Sequence, residues 1–190
     1  MPVLCNKPQF SISVSACLLC AMIILLLPLQ WFFAAVIAAL FHEACHALAV
    51  RLCGGHVLGV QIGQQGTRMH TAILTPIQEL PCVLAGPLGS LLLLLFIRFI
   101  PRIAFCAAVH GTYNLLPLSH LDGGKALHSV LRMVLPKNAR RISMTVQYLT
   151  LSVLWLLALY LTICRKVGVM PLLFMLALSI AAKKDLANIV

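Results

Sequence analysis

The sequence FHEACHALAVRL, residues 41–52, places two histidines and a glutamate inside a strongly apolar stretch. His42 and His46 are four residues apart, so on a helix they lie one turn apart on the same face. This spacing suits two imidazole nitrogens that bind one tetrahedral zinc ion, and Glu43 is suited to accept a proton from water at the metal. Ionisable groups are costly within a bilayer. The stretch therefore predicts a functional metal site within a membrane-spanning helix.

The composition is that of a membrane protein rather than a soluble one. Of the 190 residues, 62% are hydrophobic and 9% are charged, and the mean hydropathy is +1.03. Fourteen Lys and Arg residues against four acidic residues give a net charge of +10. The basic residues lie between the apolar runs, where they can contact lipid headgroups. This distribution indicates a lipid bilayer as the partner of the basic residues and no nucleic-acid partner. The eight cysteines have no disulfide-framework spacing. We expect a single membrane-embedded domain over residues 1–190.

Six apolar runs are candidate transmembrane helices, and all but the last are about 17–25 residues long. Between the second and the third, residues 56–74 carry β-favouring apolar residues on both sides of a Gly-Gln-Gln-Gly turn. We therefore expect an all-α polytopic membrane protein with about six transmembrane helices and a small β-hairpin between the second and third. The expected spans run from about Phe10 to Leu27, Trp31 to Cys53, Pro81 to Pro101, Ile103 to Gly124, Ser143 to Ile163 and Val169 to Ala182.

The distribution of basic residues predicts the orientation in the membrane. Lys and Arg are more frequent on the cytoplasmic side of membrane proteins. The side with both termini carries Lys7, Arg51, Arg68, Lys125, Arg132, Lys137, Arg140, Arg141, Lys183 and Lys184, and the other carries Arg98, Arg102, Arg165 and Lys166. We therefore expect cytoplasmic termini, and the second and fourth spans both run inward.

Two histidines require a third protein ligand if the fourth zinc position is to hold water. A histidine six residues after the second one is absent, because Leu52 occupies that position. Asp122 is the remaining acid inside an apolar region, and it lies near the cytoplasmic end of the predicted fourth span. Pro117 interrupts that helix locally and would allow the aspartate to turn towards the metal. The scarcity of acidic residues and the predicted depth of Asp122 in the membrane both indicate that it lies near the two histidines.

Four short motifs occur in this order in the chain: HEACH at 42–46, GPLG at 86–89, NLLP at 114–117 and LDG at 121–123. Together they resemble the site-2 protease family, the intramembrane zinc metalloproteases of peptidase family M50. The resemblance covers about residues 31–127, the catalytic core of that family, and it is nearest to the compact bacterial branch with the sporulation stage IV factor B protease. We expect no PDZ or CBS domain. Cys45, Ser90 and His120 depart from residues that are frequent in the family.

The resemblance implies the roles of five residues. His42, His46 and Asp122 would bind one zinc ion per chain, Glu43 would be the catalytic base, and Asn114 would hydrogen-bond the substrate or the oxyanion. The implied activity is hydrolysis of a peptide bond within or next to the transmembrane segment of a single-span, membrane-tethered regulatory protein. A regulatory membrane partner and a bacterial cell membrane are further expectations. The sequence does not determine the oligomeric state.

Other interpretations of the same residues remain open at this point. A metal transporter would distribute carboxylates and histidines along several helices, whereas this chain concentrates them; a catalytically silent binder of membrane partners is the other alternative. Asn114 could instead satisfy backbone groups near Pro117, and His120 or Cys45 could also reach the metal. His110 is interpreted as structural or as facing the lipid headgroups.

Overall fold

The structure, a computed structural model, describes residues 9–12, 28–55, 57–63, 66–71, 75–165 and 168–188. By internal contacts the chain divides into two compact units, Met1–Asn114 and Leu115–Val190. The described residues form strands β1 (Gln9–Ile12), β2 (Val57–Gly63) and β3 (Gly66–Thr71), helices α1 (Leu29–Leu52), α2 (Pro76–Leu92), α3 (Pro101–Asn114), α4 (Asp122–Val134), α5 (Ala139–Cys164) and α6 (Met170–Asn188), and a 3-10 turn at Leu93–Phe96.

Helix α1 carries the histidine pair and ends where its sequence stops favouring a helix. It begins directly after Pro28, whose ring is compatible with a helix start. At its other end Gly54 adopts a φ of 78°, and the N–H of Gly55 donates to the carbonyl of Val50 at 2.9 Å. This left-handed glycine cap satisfies carbonyls that would otherwise lack a partner at the helix end.

The three strands form one sheet in which β2 is central. Strand β2 pairs antiparallel with β3, and the pair closest to the turn is Gly63 with Gly66. These two strands lie in the interval where a hairpin is predicted. Strand β1 pairs parallel with the other edge of β2, with Phe10 opposite Val60. The predicted first span therefore needs correction at its start, because Phe10 to Ile12 belong to a strand; its remainder, residues 13–27, lies outside the described residues.

Small residues allow the helices of the first unit to pack closely. Helices α1, α2 and α3 all contact one another. Ala38, Ala104 and Ala107 are fully buried in this packing. The large apolar side chains instead point outward, as at Leu95, which is 76% exposed. Small residues inside and large ones outside are typical of helices that pack within a bilayer, where lipid solvates the outer face.

Polar contacts join the elements of the second unit. The N–H of Ser119 donates to Oε1 of the buried Gln147 on α5 at 3.1 Å. The indole N–H of Trp155 donates to Oγ of Ser179 on α6 at 3.0 Å. Each contact pairs a donor that would be costly to leave without a partner in an apolar setting. The loop before α4 is thereby connected to α5, and α5 to α6.

Three described helices are long and apolar enough to cross a membrane: Leu29–Leu52, Ile77–Phe96 and Ala139–Cys164. The first has 24 residues, or about 36 Å at 1.5 Å per residue, against a hydrocarbon core of about 30 Å. Their positions agree with the predicted second, third and fifth spans. Helix α6 contains a shorter apolar helix, Met170–Lys183, where the sixth span is predicted. These segments support a membrane protein.

The predicted fourth span is not one continuous helix. Helix α3 ends at Asn114, and α4 starts only at Asp122. Pro117 lies in the break, and a proline has no N–H for a helical hydrogen bond and restricts the residue before it to extended conformations. The sequence predicts a local break in one helix at this point. In the structure the break separates two helices.

Candidate metal centre

The two histidines of α1 lie one helical turn apart and their rings face each other. The Nε2 atoms of His42 and His46 are 3.1 Å apart, and the rings meet edge to face with centroids 4.8 Å apart. His42 is only 1% exposed, whereas His46 is half-buried. The predicted stacking of the pair on one face is confirmed, because both residues belong to one uninterrupted helix.

Helix α2 holds the opposite ring nitrogen of each histidine. Nδ1 of His46 donates to the backbone carbonyl oxygen of Cys82 at 2.7 Å. Nδ1 of His42 lies 2.9 Å from Oγ of Ser90, which is itself fully buried. Hydrogen bonds to the second ring nitrogen orient metal-binding histidines and select the nitrogen that faces the metal. In both residues that nitrogen is Nε2.

Gly86 is the point of closest approach between α2 and the histidine pair. A Cβ atom added there would lie 2.6 Å from Cε1 and 2.7 Å from Cδ2 of His46, and closer still to its Nε2. Carbon atoms in contact prefer separations of about 3.5–4.0 Å. Gly86, the first glycine of the GPLG motif, is therefore required, because any side chain there would occupy the position of the His46 ring.

Asp122 lies at the start of α4, after Leu121 in extended conformation. It is 7% exposed, and its Oδ1 accepts a hydrogen bond from Nζ of Lys125 at 3.1 Å. A negative charge at a helix N-terminus is stabilised by the helix dipole. The next residue, Gly123, approaches the backbone carbonyl of Leu115 so closely that a side chain would collide with it. The glycine thus keeps the interrupted segment compact around the aspartate.

His42, His46 and Asp122 form a group that could hold a metal ion. Each offers one ligand atom, and these atoms lie within 4.8 Å of one another. In the part of the chain that the structure describes, this is the only such group, and it does not include His120 or Cys45. Glu43 follows His42 on α1 and is half-buried. Two imidazole nitrogens and a carboxylate oxygen match the donor types that zinc prefers at catalytic sites.

Asn114 has a local partner at the end of α3. Its Nδ2 donates to the carbonyl oxygen of His110 at 3.1 Å. This contact corresponds to the structural alternative, in which the amide satisfies a backbone group near a helix break. A carboxamide has two N–H donors, so the contact with His110 uses one of them.

Sequence reasoning did not assign three contacts around the histidines. His110 meets His42 edge to face, with centroids 4.6 Å apart, so it lies beside the site rather than at the lipid headgroups. Ser90 and the Cys82 carbonyl hold the rings from α2. Ser90 follows the GPLG motif directly, which was its only sequence signal. A backbone carbonyl leaves no signal in the sequence.

The chain matches the family model described as Peptidase M50B-like over residues 15–119, which is more than half of its length. Among solved structures it is similar to the site-2 protease from Methanocaldococcus jannaschii, with a TM-score of 0.65 and 18% sequence identity, over 97% of this chain and 93% of that one. No match was found among curated proteins. The structural similarity shows a shared fold. The extent of the family match shows that the chain belongs to the M50 peptidases, the family of the site-2 proteases.

Proposed function

We propose that the protein is a zinc-dependent intramembrane endopeptidase. Its substrate is a single-span, membrane-tethered protein, cut within or next to the transmembrane segment. The observation that carries this proposal is the group of His42, His46 and Asp122, whose ligand atoms lie within 4.8 Å of one another. Its two histidines lie on a helix long and apolar enough to cross a membrane. A metal-ligand group in such a setting is expensive and marks a functional site.

The chemistry of the donor set supports one zinc ion per chain. The Cys82 carbonyl can only accept a hydrogen bond, so the proton of His46 lies on Nδ1 and its Nε2 presents a lone pair. The Nε2 atoms of the two histidines are 3.1 Å apart. A cation shared by the two nitrogens and the Asp122 carboxylate suits this arrangement. When bound, zinc polarises the substrate carbonyl and lowers the pKa of a water molecule towards about 7.

We assign the proton transfers to Glu43. It is the residue next to His42 on α1, and its side chain is half-buried. The carboxylate accepts the proton of the attacking water and then delivers it to the leaving amine, as a general base followed by a general acid. We assign the second N–H of the Asn114 carboxamide to the substrate carbonyl, where it stabilises the developing negative charge. His42, His46 and Asp122 would hold the ion.

Replacing Asp122 by alanine (Asp122→Ala) tests the metal centre. We expect about one zinc per purified wild-type chain and cleavage of at least one member of a panel of single-span substrates. The variant should lose zinc by metal analysis and lose cleavage, because two ligands hold the ion less tightly than three. The control is Glu79→Gln, which removes an acid in the first turn of α2, and it should retain both. A zinc-free wild-type chain, or full zinc in Asp122→Ala, would refute the proposed centre.

We further propose six spans with both termini in the cytoplasm of a bacterial cell. Helix α5 offers a test, because Lys137 and Arg165 flank it and both are exposed. An epitope tag inserted after Lys137 should be inaccessible to antibody in intact spheroplasts and accessible after permeabilisation. A tag after Arg165 should be accessible in both, because the 26 residues of α5 span about 39 Å. Equal accessibility of both tags in intact spheroplasts would contradict this orientation.

A regulatory membrane partner also remains part of the proposal.

A further inference from the structure

A cavity of about 280 Å³ lies at the start of α1. One of its walls is a single face of that helix, because Gln30, Phe33 and Ile37 follow one another at helical spacing. The opposite wall is formed by the turn before α3 and by the first residues of α3. Its apolar residues are Phe99, Ile100, Pro101 and Ile103. The cavity shares no residue with the three proposed metal ligands.

The cavity lies where two apolar helices end on the same side. His42 contacts Ser90 on α2. One turn later on α1, His46 contacts Cys82, which precedes Ser90 on α2. The two helices are therefore antiparallel, and the start of α1 lies on the same side as the end of the apolar helix Ile77–Phe96. In a bilayer, the ends of such helices reach the headgroup region.

The cavity carries a positive charge at this level. Among the described residues that line it, Arg102 and Gln30 have the only polar side chains. The sequence has no acidic residue at 1–42 or at 80–121, and these two ranges contain every residue of the cavity. Neither wall therefore supplies a carboxylate for the Arg102 guanidinium. An anionic ligand would complement this charge.

An acyl chain suits the walls better than a peptide does. Phe33 is 54% exposed and Phe99 is 83% exposed, so the cavity opens to the surface. A peptide would bring an N–H and a C=O with nearly every residue, and these groups need hydrogen-bond partners away from water. An acyl chain brings no such group. Pockets for drug-sized ligands measure about 300–1,000 Å³, so the volume here suits one slender chain.

We propose that this cavity binds one anionic phospholipid. An acyl chain lies between α1 and α3, and the phosphate lies at the Arg102 guanidinium, which can donate two parallel hydrogen bonds to it. The start of α3 adds the positive end of a helix dipole. A lipid held there contacts both helices and stabilises their packing. This site goes beyond the proposed function and does not depend on it, because neither zinc nor hydrolysis is involved.

The headgroup is tested by native mass spectrometry of the full chain in detergent, titrated with phosphatidylglycerol or with phosphatidylcholine of the same acyl chains. The wild type should bind one phosphatidylglycerol about fivefold more tightly, the usual effect of one basic residue on an anionic lipid. Arg102→Gln should remove this preference. Arg98→Gln is the matched control, because Arg98 is also exposed but does not line the cavity. It should keep the preference.

The acyl-chain site is tested by Phe33→Ala in the same titrations. This variant should bind both lipids about fivefold more weakly, the effect of about 40 Å² of lost apolar contact. Phe96→Ala is the matched control: Phe96 is 53% exposed, close to the 54% of Phe33, and it does not line the cavity. It should bind both lipids as the wild type does. All four substituted side chains are exposed, so each variant should fold.

The proposal would be overturned by a wild-type chain that binds no phosphatidylglycerol or binds the two lipids equally. Equal losses in Arg98→Gln and Arg102→Gln would also overturn it, because they would indicate a general attraction of the basic surface. Wild-type affinity for both lipids in Phe33→Ala, or the same loss in Phe96→Ala, would exclude the cavity as the site of the chain. Zinc content and cleavage do not enter these measurements, so failure of the endopeptidase proposal leaves this test intact.

Discussion

Glu43→Gln is expected to abolish peptide hydrolysis while leaving zinc binding unchanged within about twofold. Glutamine has nearly the same shape as glutamate, but its amide does not accept the proton of the attacking water. General acid–base groups contribute about 10²- to 10⁴-fold to the rate, so turnover of a single-span substrate should fall by that factor. The zinc content should persist, because the metal group comprises His42, His46 and Asp122 and excludes Glu43. Turnover in lipid vesicles and metal analysis of the same preparation measure the two properties.

The same variant decides between hydrolysis and transport. In Glu43→Gln vesicles, zinc flux at the wild-type rate, together with a wild-type chain that never cleaves a substrate, would establish the transporter alternative. Glu79→Gln is the matched control, because it makes the same change in the first turn of α2. It should cleave at the wild-type rate. Loss of both zinc and cleavage in Glu43→Gln would instead mean that Glu43 maintains the metal group itself.

Gly86→Ala is expected to lose zinc and activity together, although it adds only one methyl group. The new Cβ would lie 2.6 Å from Cε1 and 2.7 Å from Cδ2 of His46, so the ring must leave its place or α2 must move away. Either change breaks the contact between Nδ1 of His46 and the Cys82 carbonyl. Disruption of such an outer contact alone costs about 10- to 100-fold in metal affinity. With the ligand also displaced, we expect a loss of about 100-fold or more, measured by chelator competition.

Gly54→Ala is the control for the glycine substitution. Its added Cβ would meet nothing within 4 Å, although the φ of 78° there makes alanine unfavourable by about 1–2 kcal/mol. That variant should be less stable to heat but should bind zinc as the wild type does. If Gly86→Ala bound zinc with wild-type affinity, the position of the His46 ring would not depend on α2. The conclusion that contacts from α2 orient this metal ligand would then be wrong.

Sequence patterns correctly predict those structural features that depend on residues close together in the chain. The predicted second span, Trp31 to Cys53, agrees closely with α1, because a long apolar run followed by two glycines determines a helix and its end. The spacing of His42 and His46 places both on one face of that helix. In contrast, β1 could not be predicted, because its strand character depends on pairing with β2 about fifty residues later.

What the sequence by itself determined is therefore a membrane protein whose α1 carries two stacked imidazoles beside a glutamate, since helical periodicity and hydrophobicity are local properties. Only the tertiary structure decided which groups surround those imidazoles. The Ser90 hydroxyl, the Cys82 carbonyl and the space at Gly86 reach the rings through contacts between helices thirty-six to forty-eight residues apart in the chain. Such contacts depend on how helices approach and on which backbone atoms they expose, and neither property is encoded in a local pattern of residues.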